Sequence, residues 1–221
     1  QMCIRDSLKS SVIASLQQYA DNVEINKFGG RFKYSKINQL IDRTNDAITS
    51  NITKVIIRRD LKVAINSFAQ YELCFGNRFY INPLGFNIKS TGFKINGFDD
   101  VCFLTDVPNK DASGNLDGSM KGTLSVVTSN NKGQQVILAK GAGGVDYMKG
   151  EVILNTINIT STTLQNNIIE VQAFPESNDV VGLKDLFVSL EVSNSTINML
   201  KETNKSDEKK KKIFEFIDNL L

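Results

Sequence analysis

The stretch FNIKSTGFKINGFDDVCFLT, residues 86–105, decides the fold class. It holds three short runs rich in aromatic and β-branched residues, at 86–88, 93–95 and 101–105. Each run is too short for a stable helix and is bounded by glycine or turn residues, which is the pattern of strands. Asn96-Gly97 lies between the last two, and that dipeptide supplies the left-handed backbone of a tight hairpin. The pattern repeats toward the C-terminus at 123–128, 135–139, 151–159 and 168–173. Ser113-Gly114-Asn115, Asp117-Gly118, Asn130-Asn131 and Lys149-Gly150 punctuate it. Many short strands so spaced predict a mainly antiparallel, sandwich-like β-rich domain over residues 83–200. Residues 180–192 continue it as a loop and a strand.

Upstream the period changes. Leu8, Val12, Leu16 and Tyr19, with Ile13 beside them, share one helical face and predict a helix from Leu8 to about Ala20, capped by Ser7. Gly29-Gly30 then break the chain, and Phe28, Phe32 and Tyr34 read as a short extended stretch. Ser35 is the expected N-cap of a second helix, with Ile37, Leu40 and Ile41 on its apolar face and Ile48 closing the run. A β-branched strand is expected at 52–57, continuing through Arg58 and Arg59 toward Val63. Helix, extended segment, helix and strand predict two helices covering a small sheet across residues 8–82. The fold class is therefore α+β, a small helix-on-sheet layer followed by the β-rich region.

The two ends read differently. QMCIRDS, residues 1–7, resembles a translated sequencing-adapter scar, so these residues are expected to be non-native. On that reading the chain is the C-terminal portion of a longer protein. Residues 201–221 form a charged, amphipathic tail, in which the lysine run 209–212 precedes Ile213, Phe214, Phe216, Ile217 and Leu220. Its six lysines against five acids give little attraction to anionic lipid, so a segment that docks on a neighbour, or frays, is expected.

Composition removes several chemistries. The chain has no histidine, so it cannot by itself build a Ser-His-Asp triad, a Cys-His dyad or a His-ligated zinc site. Its formal net charge of +2 gives no reason for long-range attraction to nucleic acid or membrane. Cys3, Cys74 and Cys102 are isolated, which fits a reduced, intracellular chain and supports neither a zinc ribbon nor a redox pair. No apolar run reaches the length of a membrane span.

Individual motifs weaken on inspection. KGAGGVD, residues 140–146, follows a strand, but it has Asp146 where a dinucleotide loop needs glycine and lacks the Gly-Lys-Ser/Thr of a phosphate loop. A flexible hairpin loop is expected there. Asp111, Asn115 and Asp117 alternate like calcium ligands without the spacing or closing glutamate of an EF-hand, so a solvated hairpin loop is expected. Asp99-Asp100 has no second acidic cluster to pair with and is expected to end a strand. The sequons at Asn51 and Asn158 read as chance. No catalytic residue, cofactor site or metal site is expected.

Local basicity is more informative. Lys27, Arg31, Lys33, Lys36, Arg43, Lys54, Arg58, Arg59 and Lys62 face only Glu24, Asp42, Asp46 and Asp60. With Phe28, Phe32 and Tyr34 interleaved, residues 27–62 could be a nucleic-acid-binding surface. The other reading packs the aromatics inward and leaves the cations as a solvated face or as partners of an acidic protein. The second is preferred, because the rest of the chain has no matching basic stripe. Phe28, Arg31, Phe32, Tyr34, Arg58 and Arg59 are the candidate partner-contact surface.

Phe28-Gly-Gly-Arg-Phe-Lys-Tyr-Ser-Lys-Ile-Asn-Gln-Leu-Ile-Asp42, continuing through Ala47-Ile-Thr-Ser-Asn-Ile-Thr-Lys-Val55, resembles the J-like baseplate family, the baseplate wedge proteins of T-even-like myoviruses. Further likeness lies at residues 71–79, 92–97, 180–187 and 191–199, so the resemblance covers about 8–200 and corresponds to the family's C-terminal portion. After Met199 the family continues into a serine-rich segment, where this chain has its lysine run. The resemblance implies a structural virion protein of the tail baseplate with no catalytic activity and no cofactor, made in the host bacterial cytoplasm. It implies a homodimer or ring of the chain that joins wedges around the tail hub, with other baseplate wedge proteins as partners. No nucleic acid, no membrane and no small-molecule substrate are implied.

Overall fold

A computed structural model describes residues 2–22, 25–130, 134–184, 186, 188–200 and 214–215. The chain divides into two compact units, Gln1–Val55 with Asn178–Leu221, and Ile56–Ser177. The dividing point thus falls near residue 55 and not at the expected 82–83. The physical reason is long-range pairing: the strands at Ile57–Lys62 and Phe68–Cys74 are taken up by strands from residues 151–173.

In the first unit, helix α1 (Met2–Ala20) and helix α2 (Tyr34–Thr44) pack on each other. Helix α1 starts before Leu8 and runs through most of the segment 1–7. Its buried residues are Val12, Leu16, Tyr19 and Ala20, while Ile13 stays exposed. Their spacing of four, three and one makes a single stripe that meets Ile37 and Ile41 of α2 as the buried apolar set of this unit, with Ile25, Ile48 and Phe32.

Ser35 is not the cap of α2. It sits exposed in the first turn, and the residue before the helix, Lys33, makes no side-chain cap. The carboxylate that does this work is Asp179, whose Oδ1 accepts the Tyr34 backbone N–H at 2.8 Å. An acid at a helix N-terminus satisfies an orphan donor and matches the helix dipole. Arg31–Phe32 (β1) pairs antiparallel with Val180–Val181 (β11), which brings residue 179 to the helix. That pair forms a small sheet in this unit, where the run at 52–57 was expected to. Asn51 explains the difference, since its Nδ2 donates to Asp42 Oδ1 at 2.6 Å and its Oδ1 accepts from Thr53 Oγ1 at 3.1 Å. These local bonds occupy the segment, and Ile52 to Ile56 lie outside any strand. Tyr34 adds a second tie, its hydroxyl donating to the Thr53 carbonyl at 2.9 Å. A 3-10 turn at Val192–Asn194 packs on α1, and Asn198–Met199 (β12) pairs with Phe214–Glu215 (β13). The rest of the tail expected at 201–221 lies outside the described residues.

The second unit holds strands β2 (Ile57–Lys62), β3 (Phe68–Cys74), β4 (Lys89–Ser90), β5 (Phe93–Ile95), β6 (Phe98–Pro108), β7 (Lys121–Ser129), β8 (Gln135–Asp146), β9 (Glu151–Thr162) and β10 (Ile168–Ala173). Every pairing is antiparallel, and the pairs β5–β6, β6–β7, β7–β8, β8–β9 and β9–β5 close a ring. Strand β3 adds to β9, and β4, β10 and β2 extend from β6. The result is a barrel-like, mainly antiparallel sheet in one unit and two helices in the other, the α+β class read from the sequence. Its core is Phe79, Ile88, Phe93, Leu124, Val126, Tyr147, Ile159, Ile169 and Val171, each almost wholly buried.

Turn chemistry lands where expected at Asn96-Gly97, with Gly97 at φ +82°, a conformation open to glycine and closed to most side chains. The expected strand at 86–88 is not one. Phe86 has φ +66°, and Asn87 is pinned by side-chain bonds to Tyr80 and Phe174. The expected loop at 140–146 is also different, since these residues belong to β8. Between the pairs Leu124–Gly143 and Val126–Ala139 the register advances two residues on β7 and four on β8, so 140–142 bulge from the strand. Gly143 is required by close approach, because a Cβ there would collide with the Ile153 carbonyl oxygen.

Candidate contact surface

The expected contact residues fall in both units. Phe28, Arg31, Phe32 and Tyr34 lie in the first, Arg58 and Arg59 in the second. Phe32 is buried and Tyr34 is half-buried, so the aromatics divide, and only Phe28 (66% exposed) faces solvent. Arg58 is engaged by Asp60 at 3.4 Å and Glu170 at 3.3 Å, and Arg59 donates to the Cys74 carbonyl at 2.8 Å. Those two arginines are structural ties within the sheet.

In the first unit the basic residues converge instead on one cavity of about 290 Å³. Tyr19, Asn22, Ile25, Lys27, Gly29, Arg31, Lys33 and Lys36 line it. The geometry follows from local structure. Gly29-Gly30 turn the chain between α1 and β1, with the Gly29 N–H donating to the carbonyls of Leu183 and Leu186 and the Gly30 N–H to that of Lys27. Strand β1 then carries Arg31, and the first turn of α2 carries Lys36. Lys36 sits over the Tyr19 ring, 5.7 Å from its centroid, a cation–π contact that joins the two helices. Among the described residues, four cations and no acid line the cavity. Lys27, Lys33 and Lys36 were not in the candidate set; their signal was the charge excess of the segment, and only the fold shows which of its cations converge.

The acidic motifs are accounted for by their own backbones. Asp111 Oδ1 accepts the N–H groups of Ser113 (2.8 Å) and Asn115 (3.0 Å), and Asp117 Oδ1 accepts that of Ser119 (2.8 Å). The Ser119 side chain and N–H together hold the Asp117 carboxyl below its ordinary range. Asp99 and Asp100 lie exposed at the opening of β6. Among the described residues no group of three or more His, Cys, Asp or Glu side chains is placed to hold a metal ion. No described helix is long and apolar enough to cross a membrane. Cys74 and Cys102 are free thiols, and burial, helped by the charge of Asp100, raises the Cys102 thiol above its ordinary value.

One buried carboxylate went unnoticed in the sequence. Asp106 on β6 is 1% exposed, and its Oδ2 accepts the Tyr147 hydroxyl at 2.6 Å while its Oδ1 accepts the Ile88 N–H, also at 2.6 Å. Burial raises its pKa, against the opposing effect of these hydrogen bonds. Burial and the same carboxylate also raise Tyr147, which stays a donor. A perturbed carboxylate in a cleft would be a catalytic candidate. Here both oxygens are occupied and the group is sealed in the core, so it serves as a polar pin between β6, the Tyr147 turn and residue 88.

Residues 3–60 match the family model described as baseplate structural protein gp6, C-terminal domain III. That segment spans both helices and reaches into β2. No curated protein matches the chain. Over the matched residues the chain is gp6-like, a structural baseplate protein and a component of the phage virion.

Proposed function

We propose that this chain, gp6-like over residues 3–60, is a non-catalytic wedge subunit that associates with its own copies and joins wedges into the ring around the tail hub. Other baseplate wedge proteins are its partners, and it is made in the host bacterial cytoplasm before it enters the particle. The single observation that carries this reading is the family match to a baseplate structural domain. Two physical features agree with it. The second unit is a stiff module, its ring closed by ladders and pinned by Asp106 and Asn87. The first unit offers Phe28 and a cationic cavity as contact features.

Size-exclusion chromatography with light scattering on the full chain tests self-association. A dimer or larger species is expected at tens of micromolar, and a monomer throughout that range would remove homo-oligomerisation from the proposal. The nucleic-acid reading of residues 27–62 gains nothing from the structure, because Arg58 and Arg59 are already engaged within the sheet.

A further inference from the structure

Strand β8 is sheltered over half its length and open over the other half. From Gly143 to Asp146 it is paired on both sides, with β7 and with β9. From Gln135 to Ala139 it is paired with β7 alone among the described residues. The alternation of an antiparallel ladder fixes which backbone groups point outward there. The Asn130 N–H donates to the Gln134 carbonyl, so 130 and 134 form a hydrogen-bonded pair, and 128 and 136 form the next. Gln135 and Ile137 therefore turn their N–H and C=O groups away from β7. Val136 is 41% exposed and Ile137 47%, and neighbours on a strand point to opposite faces, so both faces are open. Residues 134–139, Gln-Gln-Val-Ile-Leu-Ala, carry no charge. Strand β2, at the end of the sheet path, instead holds Arg58, Arg59, Asp60 and Lys62, the kind of residue that guards an edge against pairing.

We infer that this open edge pairs antiparallel with the same edge of a second copy, about a two-fold axis at Val136. The inference rests on the self-association proposed above and names its surface. Two features make the edge its own complement. With the axis at Val136, Gln135 of one copy faces Ile137 of the other, and both have their hydrogen-bonding groups turned outward. Every outward N–H and C=O of those two residues is then satisfied in both copies. Val136 meets its counterpart as a non-hydrogen-bonded pair, the closer kind, in which β-branched side chains pack well. The second feature is the missing charge. A two-fold axis sets each side chain against its own kind or a near neighbour, so a charged strand would repel itself, and this one does not. Register shifts opposite Val126, which bulge β8 at residue 138 and at 140–142, confine the straight stretch to Gln135–Ile137. The contact is therefore small and weak alone, and it suits a joint repeated within an assembly.

The test is a concentration series of the full chain by sedimentation equilibrium. Val136→Lys and Val136→Glu are measured alone and mixed in equal amounts, with the exposed Leu84→Lys as a control for added surface charge. Each variant alone places like charges across the axis, and the mixture places opposite ones. The dissociation constant of the parent dimer should rise about tenfold or more in each variant alone and return toward the parent value in the mixture. Leu84→Lys should leave it unchanged. Val136→Cys adds a readout that needs no charge: mild oxidation should give a disulfide-linked dimer beyond any formed by the parent or by Leu84→Cys. A parent that stays monomeric overturns the self-association reading and this surface with it. A parent that dimerises as well in both charge variants, without extra cross-linking of Val136→Cys, leaves that reading standing and overturns this surface alone. Loss in both variants with no recovery in the mixture overturns the axis at Val136.

Discussion

The two units solve the problem of holding a fold in opposite ways. The helical unit has a narrow apolar stripe, Val12, Leu16, Ile37 and Ile41, and relies on polar ties made over long chain distances, such as Asp179 at the start of α2. The β unit has a larger continuous core, a ring of ladders and a buried Asp106 with both carboxylate oxygens bonded. The first gathers four cationic side chains around one cavity. The second gives up surface chemistry for rigidity. The family match falls mainly on the unit that carries the charge.

That contrast can be broken most strongly in the β core. Leu124 is fully buried, and Leu124→Ala should cost about 2–5 kcal/mol, read by urea unfolding. Tyr147→Phe deletes only a hydroxyl but leaves Asp106 Oδ2 buried without its donor. It should cost about 1–3 kcal/mol in the same measurement, well above what a surface hydroxyl would.

The same carboxylate gives a pH signature. The folded pKa of Asp106 lies above its unfolded value, so in the window between the two the native state holds more protons. Its contribution to stability is thus full below the unfolded value, about pH 4, and is lost as pH rises through the folded one. Asp106→Asn should remove that component, so the parent-minus-variant difference in unfolding free energy should decline with rising pH across the window. A difference independent of pH would mean that Asp106 is not buried as an acid. The smallest effect lies in the helical unit. Asp179→Ala should cost about 1 kcal/mol and speed amide exchange in the first turn of α2, leaving the β unit unchanged.

Much of this was legible locally. Strands β5 and β10 stand at the residues their β-rich runs marked, because turn residues bound those runs tightly. The stripe of α1 was legible because helical period is a local property. What escaped depends on distance. The cap of α2 comes from a residue 145 positions away, and no periodicity announces it. Strand β2 reads as the end of a helical layer until β10 is seen to claim it, residue 62 opposite 168. The glycine run at 140–146 has no side-chain period, so a bulged strand and a loop look alike in sequence. For the contact surface, the basic excess was legible but its partition was not. Arg58 and Arg59 went to ties within the sheet, while Lys27 and Lys33 joined Arg31 at the cavity.

The most direct measurement is mass spectrometry of tail baseplates isolated from particles of the phage that encodes this chain, after the sheath and tube are stripped away. Peptides from both units should be present and should remain with the baseplate fraction. Particles whose baseplates lack the chain would contradict the account.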